Sequence, residues 1–372
     1  MPNPGTFTLL EAQVSSRTKW HFLVLSGQNK EQTYVGECSD SGVGSARLIS
    51  LVDQAVALIG GRPIVQEHAP IIEDLRVWVE SKEQSAQFAA ATVMGAIDQL
   101  ICDAAARQAD MPLWAWLGAP KSRAAVVYAN INRMAGGRSP ETVAGMAAQA
   151  VDAGFSAVKC APFDVPAEGV ALHTAGLERV RAVRAAVGDD IDVRVDFHHH
   201  LSFDETLELI PALEDLGVSW IEDAVHVTDI ESQRALRQAT TLPLAGGEQA
   251  FSPEMTRAAV ADGLIDILMP DVKHVGGIQR LLDVAASAPH LQISPHNPAG
   301  PVATSASAHV FAVCDNASTL EFAFGEVPWR SDLVGGRERI TGGMLEVSEQ
   351  PGLGIEFDLS HPCLTALWSR GR

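Results

Sequence analysis

Val193-Arg194-Val195-Asp196 is an apolar run that closes on an acid. The same device returns 26 residues on, at Trp220-Ile221-Glu222, and after another 26 at Glu248. Working outward, Lys159 ends Ala157-Val158-Lys159, 37 residues before Asp196, while Asp271, His296 and Glu321 follow Glu248 at steps of 23, 25 and 25. One strand, a loop and a helix occupy about that length. In a parallel (β/α)₈ barrel the carboxyl ends of successive strands converge on one mouth. A regular spacing along the chain thus becomes proximity in space.

The surrounding sequence fits that reading. From Val126 onward a strand–loop–helix period places strands near 126–130, 156–159, 192–196, 218–222, 242–247, 265–270, 291–295 and 318–322. Ser202-Phe203-Asp204-Glu205 has the form of a capping box, and Phe203, Leu207, Ile210 and Leu213 fall on one helical face, with Pro211 expected to kink or open that helix. Ser139-Pro140-Glu141 and Ser252-Pro253-Glu254 are helix starts, with Ser as N-cap and Pro at the first helical position. Gly154, Gly217 and Gly263 mark helix ends. Residues 1–125 read differently, as a small α+β unit. Strands are expected at 7–14 and 20–25, loops at 15–19 and 36–42, and helices at 46–60 and 85–108. Past the eighth strand, Gly342-Gly343-Met344-Leu345-Glu346-Val347 looks like one more strand, returning to the N-terminal unit.

The chain has 372 residues, 47% of them hydrophobic and 20% charged. That suffices for one large barrel and a smaller domain. Its net charge of −19 argues against nucleic acid, which needs clustered Lys and Arg. No uninterrupted apolar run approaches the roughly 20 residues that span a bilayer, and Met1-Pro2-Asn3-Pro4 lacks the character of a secretory signal. The five cysteines are odd in number and form no CxxC pair, so a disulfide framework is not expected. A reducing cytoplasm fits best.

Asp196, Glu222 and Glu248 supply three carboxylates from consecutive strands. Converging anions repel unless a cation joins them, and oxygen-only ligands suit a hard ion such as Mg²⁺. Single strand-end acids commonly serve as helix N-caps; three in register do not read that way. Asp271 and His296 stand one unit apart, so the carboxylate can fix the imidazole tautomer and raise its basicity. His198 lies two residues past Asp196 and points the same way if strand geometry persists. His198-His199-His200 could suggest zinc, but consecutive residues cannot all face one point. Metal, base and a second proton carrier suit removal of a hydrogen next to a carboxylate, with Lys159 adding positive charge and Glu321 hydrogen-bonding the substrate.

The motifs Val-Asp-Phe-His (195–198), Trp-Ile-Glu-Asp (220–223), Gly-Gly-Glu-Gln (246–249), Met-Pro-Asp-Val-Lys-His-Val-Gly-Gly (269–277), Ser-Pro-His-Asn (294–297) and Leu-Glu-Phe (320–322) resemble the enolase superfamily, in its mandelate racemase-like branch. The resemblance covers essentially the whole chain. It implies an α/β fold: a modified TIM barrel, (β/α)₇β, over residues 126–325, an α+β capping domain over 1–125, and a C-terminal segment, 326–372, returning to the cap. It implies Asp196, Glu222 and Glu248 as Mg²⁺ ligands, Asp271 and His296 as the catalytic dyad, and Glu321 as the strand-eight acid. Two departures stand out. Where racemases of this branch carry Lys-x-Lys, this chain has Lys159-Cys160-Ala161, and the motif at Glu222 ends in Ala224 rather than Pro. Loss of the second lysine with gain of His198 resembles the acid-sugar dehydratases, D-galactonate dehydratase among them. There His296 would act as base and His198 as acid on the departing hydroxyl, with Lys159 stabilising charge. A racemase, epimerase or cycloisomerase is the alternative. The expected partner is a small sugar acid, met by Glu321, Asn130 and the cap residue Trp20, in a homo-oligomer without nucleic acid or membrane.

Overall fold

The computed structural model describes residues 5–16, 18–27, 32–122 and 124–371. Met1-Pro2-Asn3-Pro4, and Arg17 in the loop expected at 15–19, lie outside them. The chain opens with an antiparallel meander of β1 (Thr6–Gln13), β2 (Lys19–Ser26) and β3 (Thr33–Cys38), followed by helices α1 (Ser45–Ile59), α2 (His68–Glu80), α3 (Gln84–Gln108) and the short α4 (Leu113–Trp116). Side chains alternate across a pleated strand, and here the alternation divides two cores. Phe7, Leu9, Leu23 and Leu25 pack with α1–α3. Leu10, Ala12, Trp20, Phe22 and Val24 face the other way, into a core shared with the following domain.

Gly36-Glu37-Cys38, expected in a loop, instead ends β3. Gly and Glu both disfavour strands, but Gly36 is there because α3 lies against it. A Cβ at this position would sit 1.9 Å from the Ala96 carbonyl oxygen. Gly36→Ala is therefore expected to destabilise the protein by about 1–3 kcal/mol, read as a lower urea midpoint at unchanged m; an unmoved midpoint would mean that α3 can retreat freely. At 25 residues α3 is long and apolar enough to cross a membrane by length and composition, but 94% of its most apolar window is buried within the protein.

The barrel follows as β4 (Ala125–Asn130), α5 (Pro140–Asp152), β5 (Ala157–Cys160), α6 (Leu172–Val187), β6 (Asp192–Asp196), α7 (Phe203–Asp215), β7 (Trp220–Glu222), α8 (Ile230–Ala239), β8 (Leu244–Gly246), α9 (Glu254–Ala261), β9 (Ile267–Leu268), α10 (Ile278–Ser287), β10 (Gln292–Ile293), α11 (Pro301–Val313) and β11 (Leu320–Ala323). The strands pair in parallel and in order, and β11 pairs with β4 to close the ring. The architecture is (β/α)₇β. Ser202 and Glu205 form the expected capping box, and α7 runs through Pro211 as a continuous helix. Ser139 caps α5, whereas α9 begins at Glu254 without a side-chain cap.

The C-terminal segment returns to the cap, but not through the run at 342–347. β12 (Ile340–Thr341) and β13 (Met344–Leu345) form a hairpin, and β13 pairs with the first residues of β4 rather than with the cap. Another strand, β14 (Leu364–Gly371), runs antiparallel to β1 and completes the cap sheet in the order β14-β1-β2-β3.

Two buried cap acids fasten the cap to the barrel mouth. Glu37 accepts hydrogen bonds from the Gly300 and Ala303 amides at the start of α11, at 2.6 and 3.0 Å. Asp98 accepts the Ile278 amide at the start of α10, at 2.6 Å. Each carboxylate satisfies amide donors that a helix N-terminus leaves open and faces its positive dipole end. Gly277 lets Asp98 in, since a Cβ there would lie 2.3 Å from its Oδ2.

Candidate active site

Strand register brings the residues together. Asp196 and Glu222 are direct partners across β6 and β7, Lys159 precedes them on β5, and Glu321 is on β11. Glu248, Asp271 and His296 stand just past the ends of β8, β9 and β10. All seven are buried. Beneath them, Tyr128, Ala157, Trp220, Ala245, Ile267 and Met269 fill the barrel interior, and Arg194 is sandwiched over the Tyr128 and Trp220 rings at 4.2 and 3.8 Å. Trp220 Nε1 donates to Glu222 Oε2 at 3.2 Å, so the floor orients that acid.

Lys159 is the positive centre. Its Nζ lies 2.5 Å from Glu222 Oε1, 2.8 Å from Glu321 Oε1 and 3.1 Å from Asp196 Oδ2. Burial disfavours its charge, but the Glu222, Glu321 and Asp196 carboxylates raise its pKa well above the usual lysine value. Burial, together with Asp196 nearby, lifts Glu222 well above an ordinary carboxylate. Asp196 is held low against its burial by Lys159 and His198, and Glu248 is brought down to about 2 by His296.

Imidazoles approach this carboxylate group from two sides. His296 Nδ1 is 3.0 Å from Asp271 Oδ2, and its Nε2 is 3.0 Å from Glu248 Oε2. An ionised carboxylate only accepts, so Nδ1 carries the proton shared with Asp271. Burial opposes its charge, yet Glu248 and Glu321 lift His296 to about 10. His198 comes from β6, four strands round the barrel from β10. Its Nε2 is 3.0 Å from Asp196 Oδ2 and its Nδ1 is 2.8 Å from Asp164 Oδ1. Against the burial penalty, Asp196 and Asp164 push it up to about 12.

The other expected contacts are placed as follows. Asn130 Nδ2 donates to Glu321 Oε1 at 2.6 Å, and the Asn297 amide donates to Glu321 Oε2 at 2.9 Å. Trp20 is buried on the barrel side of β2, edge-on to Trp329 at 5.4 Å and beneath Arg330 at 5.2 Å. His199 turns to the His226 ring, 5.3 Å away, while His200 Nδ1 meets the Phe163 carbonyl on the same side as His198, so the three histidines do not face one point. Asp164, His274 and Asn297 were not singled out from sequence. His274 Nδ1 donates to the Glu248 carbonyl at 2.7 Å and stands beside Asp271. Asp164 lies in a loop with no periodic signal.

Residues 142–361 match the family described as enolase C-terminal domain-like. The chain belongs to this family. Among its relatives, the D-gluconate dehydratase of Thermoproteus tenax is 32% identical over 276 residues, 73% of this chain and 55% of that protein. The D-galactonate dehydratase of Verminephrobacter eiseniae is 32% identical, covering 72% of each chain. The D-xylonate dehydratase of Haloferax volcanii is 35% identical over 49% of this chain and 45% of its own length. The chain thus spans about half the length of the Thermoproteus tenax and Haloferax volcanii proteins. In architecture it is similar to an enolase superfamily member from Salmonella Typhimurium, with a TM-score of 0.84 at 20% identity, covering 98% of this chain and 100% of that one. It is also similar to the 3,6-anhydro-D-galactonate cycloisomerase of Zobellia galactanivorans, with a TM-score of 0.82 at 23% identity and coverage of 95% and 96%.

Members of this enolase family use a divalent metal, and the donor set here suits one. Asp196, Glu222 and Glu321 place three carboxylates around one ammonium, with Glu248 near enough to Glu222 to interact with it electrostatically. Asp196 Oδ2 is faced by Lys159 Nζ and His198 Nε2, and Glu248 Oε2 by His296 Nε2, as ion pairs without hydrogen-bond geometry. Ligand atoms of Asp196, His198 and Glu248 lie within 4.8 Å of one another, while Glu222 is drawn toward Lys159. Buried carboxylate oxygens clustered in this way, without a well-directed hydrogen bond, favour a hard cation.

Proposed function

We propose that this protein is a Mg²⁺-dependent acid-sugar dehydratase, removing the proton α to a sugar-acid carboxylate and expelling the 3-hydroxyl to give a 2-keto-3-deoxy acid. The observation that carries this reading is the placement of two imidazoles on opposite sides of one carboxylate cluster, His296 beside Glu248 and His198 beside Asp196, each at 3.0 Å. Elimination needs a base for the α-hydrogen and an acid for the leaving hydroxyl. Asp196, Glu222 and Glu248 would hold the cation, which when bound supplies positive charge to the substrate carboxylate. His296, its Nδ1 held by Asp271, would take the α-proton on Nε2 once the cation, rather than the imidazole, neutralises Glu248. Lys159 adds positive charge where the enediolate oxygens develop. Glu321, gripped by Asn130 and the Asn297 amide, offers its carboxylate to the substrate. His198 gives its Nε2 proton to the departing hydroxyl, and the enol released tautomerises to the keto acid.

The names of the relatives support sugar acids as the substrate class. Five free cysteines fit a reducing cytoplasm. The test is a panel of sugar acids incubated with the protein and Mg²⁺ and assayed for 2-keto acid. Keto acid that appears with Mg²⁺ and stops with EDTA supports the reading. Substrate recovered from D₂O with inverted configuration and deuterium, without keto acid, would assign an epimerase or racemase instead.

A further inference from the structure

The loop after β5 meets the loop after β6 through two adjacent pairs of residues. Phe163 and Phe197, both fully buried, pack at 4.7 Å between ring centroids with their planes tilted by 44°. Their chain neighbours, Asp164 and His198, meet at 2.8 Å through Oδ1 and Nδ1. Phe163 is pinned from behind: Gly176 of α6 has no Cβ, and one would lie 2.2 Å from that ring. On the other side, His198 and His199 adopt left-handed backbone, with φ of 46° and 55°. Non-glycine residues hold that conformation only where the surroundings enforce it. Part of the enforcement is the Asp196 carboxylate, which accepts the His198 amide at 3.1 Å.

The result parallels the other side of the mouth. Asp271 holds His296 by Nδ1 and leaves Nε2 against Glu248; Asp164 holds His198 by Nδ1 and leaves Nε2 against Asp196. We infer that Asp164 is a positioning residue for His198, forming a second carboxylate–imidazole dyad that presents Nε2–H to the leaving group. This rests on the reading of His198 as general acid. A carboxylate on the distal nitrogen fixes both the ring orientation and which nitrogen faces the substrate. His200 Nδ1 also lies 3.4 Å from Asp164 Oδ1, but it hydrogen-bonds the Phe163 carbonyl and so braces the loop.

Two measurements on Asp164→Ala and Asp164→Asn test this. In the Mg²⁺-supplemented protein labelled with ¹⁵N-histidine, the His198 ring signals, assigned by their loss in His198→Asn, should show a protonated, hydrogen-bonded Nδ1. Asp164→Ala should lose that signature, and Asp164→Asn, which keeps an acceptor oxygen, should largely restore it. Dehydration kcat should fall about 10- to 100-fold in Asp164→Ala, with KM little changed and α-hydrogen exchange in D₂O near wild type. A His198 signal indifferent to Asp164→Ala overturns the dyad. A lost signature with undiminished kcat overturns its role. If no sugar acid yields keto acid but the signature still depends on Asp164, the dyad stands and the dehydratase reading falls.

Discussion

His296→Asn is expected to stop α-hydrogen exchange altogether. The imidazole has one nitrogen backed by a buried carboxylate, Asp271, and the other turned to the cluster at Glu248. Asparagine retains a polar side chain of similar reach but cannot take up a proton. Loss of a positioned base typically costs about 10²–10⁴ in rate, and here both partial reactions, exchange and elimination, pass through it. Deuterium wash-in from D₂O, followed by NMR on recovered substrate, should fall with keto-acid formation. Persistent wash-in would reassign the base.

His198→Asn should separate what His296→Asn abolishes together. The carboxylates, Lys159 and the Asp271–His296 pair stay in place, so the α-proton can still leave and return. Elimination loses its acid and should drop by about 10²–10⁴, while α-hydrogen exchange persists and overtakes product formation. Keto acid formed at the wild-type rate would remove His198 from the reaction.

The barrel was legible because its geometry repeats locally. Asp196 and Glu222 each terminate their own strand and Glu321 lies within β11, so even spacing along the chain translated into one mouth. The seven-helix form was anticipated from motif resemblance, not from periodicity. What stayed hidden depends on partners far apart in sequence. β14 pairs with β1 from the opposite end of the chain, and nothing in Leu364–Gly371 names that partner. The Gly342–Val347 run was recognisable as strand, but its docking on β4 rather than the cap depends on tertiary packing. β3 carries a glycine and an acid, both contrary to strand propensity, because α3 and the start of α11 require them. Asp164 and Glu37 lie outside any periodic pattern, and their significance appears only when two loops or two domains meet.

The fastening of the cap has a consequence for engineering. Asp271 sits in the loop leading into α10, whose first amide is held by Asp98; His296 sits in the loop leading into α11, whose first amides are held by Glu37. Both halves of the dyad are thus moored to the cap that would choose the substrate. Grafting a foreign cap to change substrate preference would cut both moorings unless Glu37, Asp98 and the close approach at Gly277 travelled with it. Recombination of this protein with its relatives should therefore succeed at boundaries that keep α3 and β3 with the native barrel, and fail where they are exchanged.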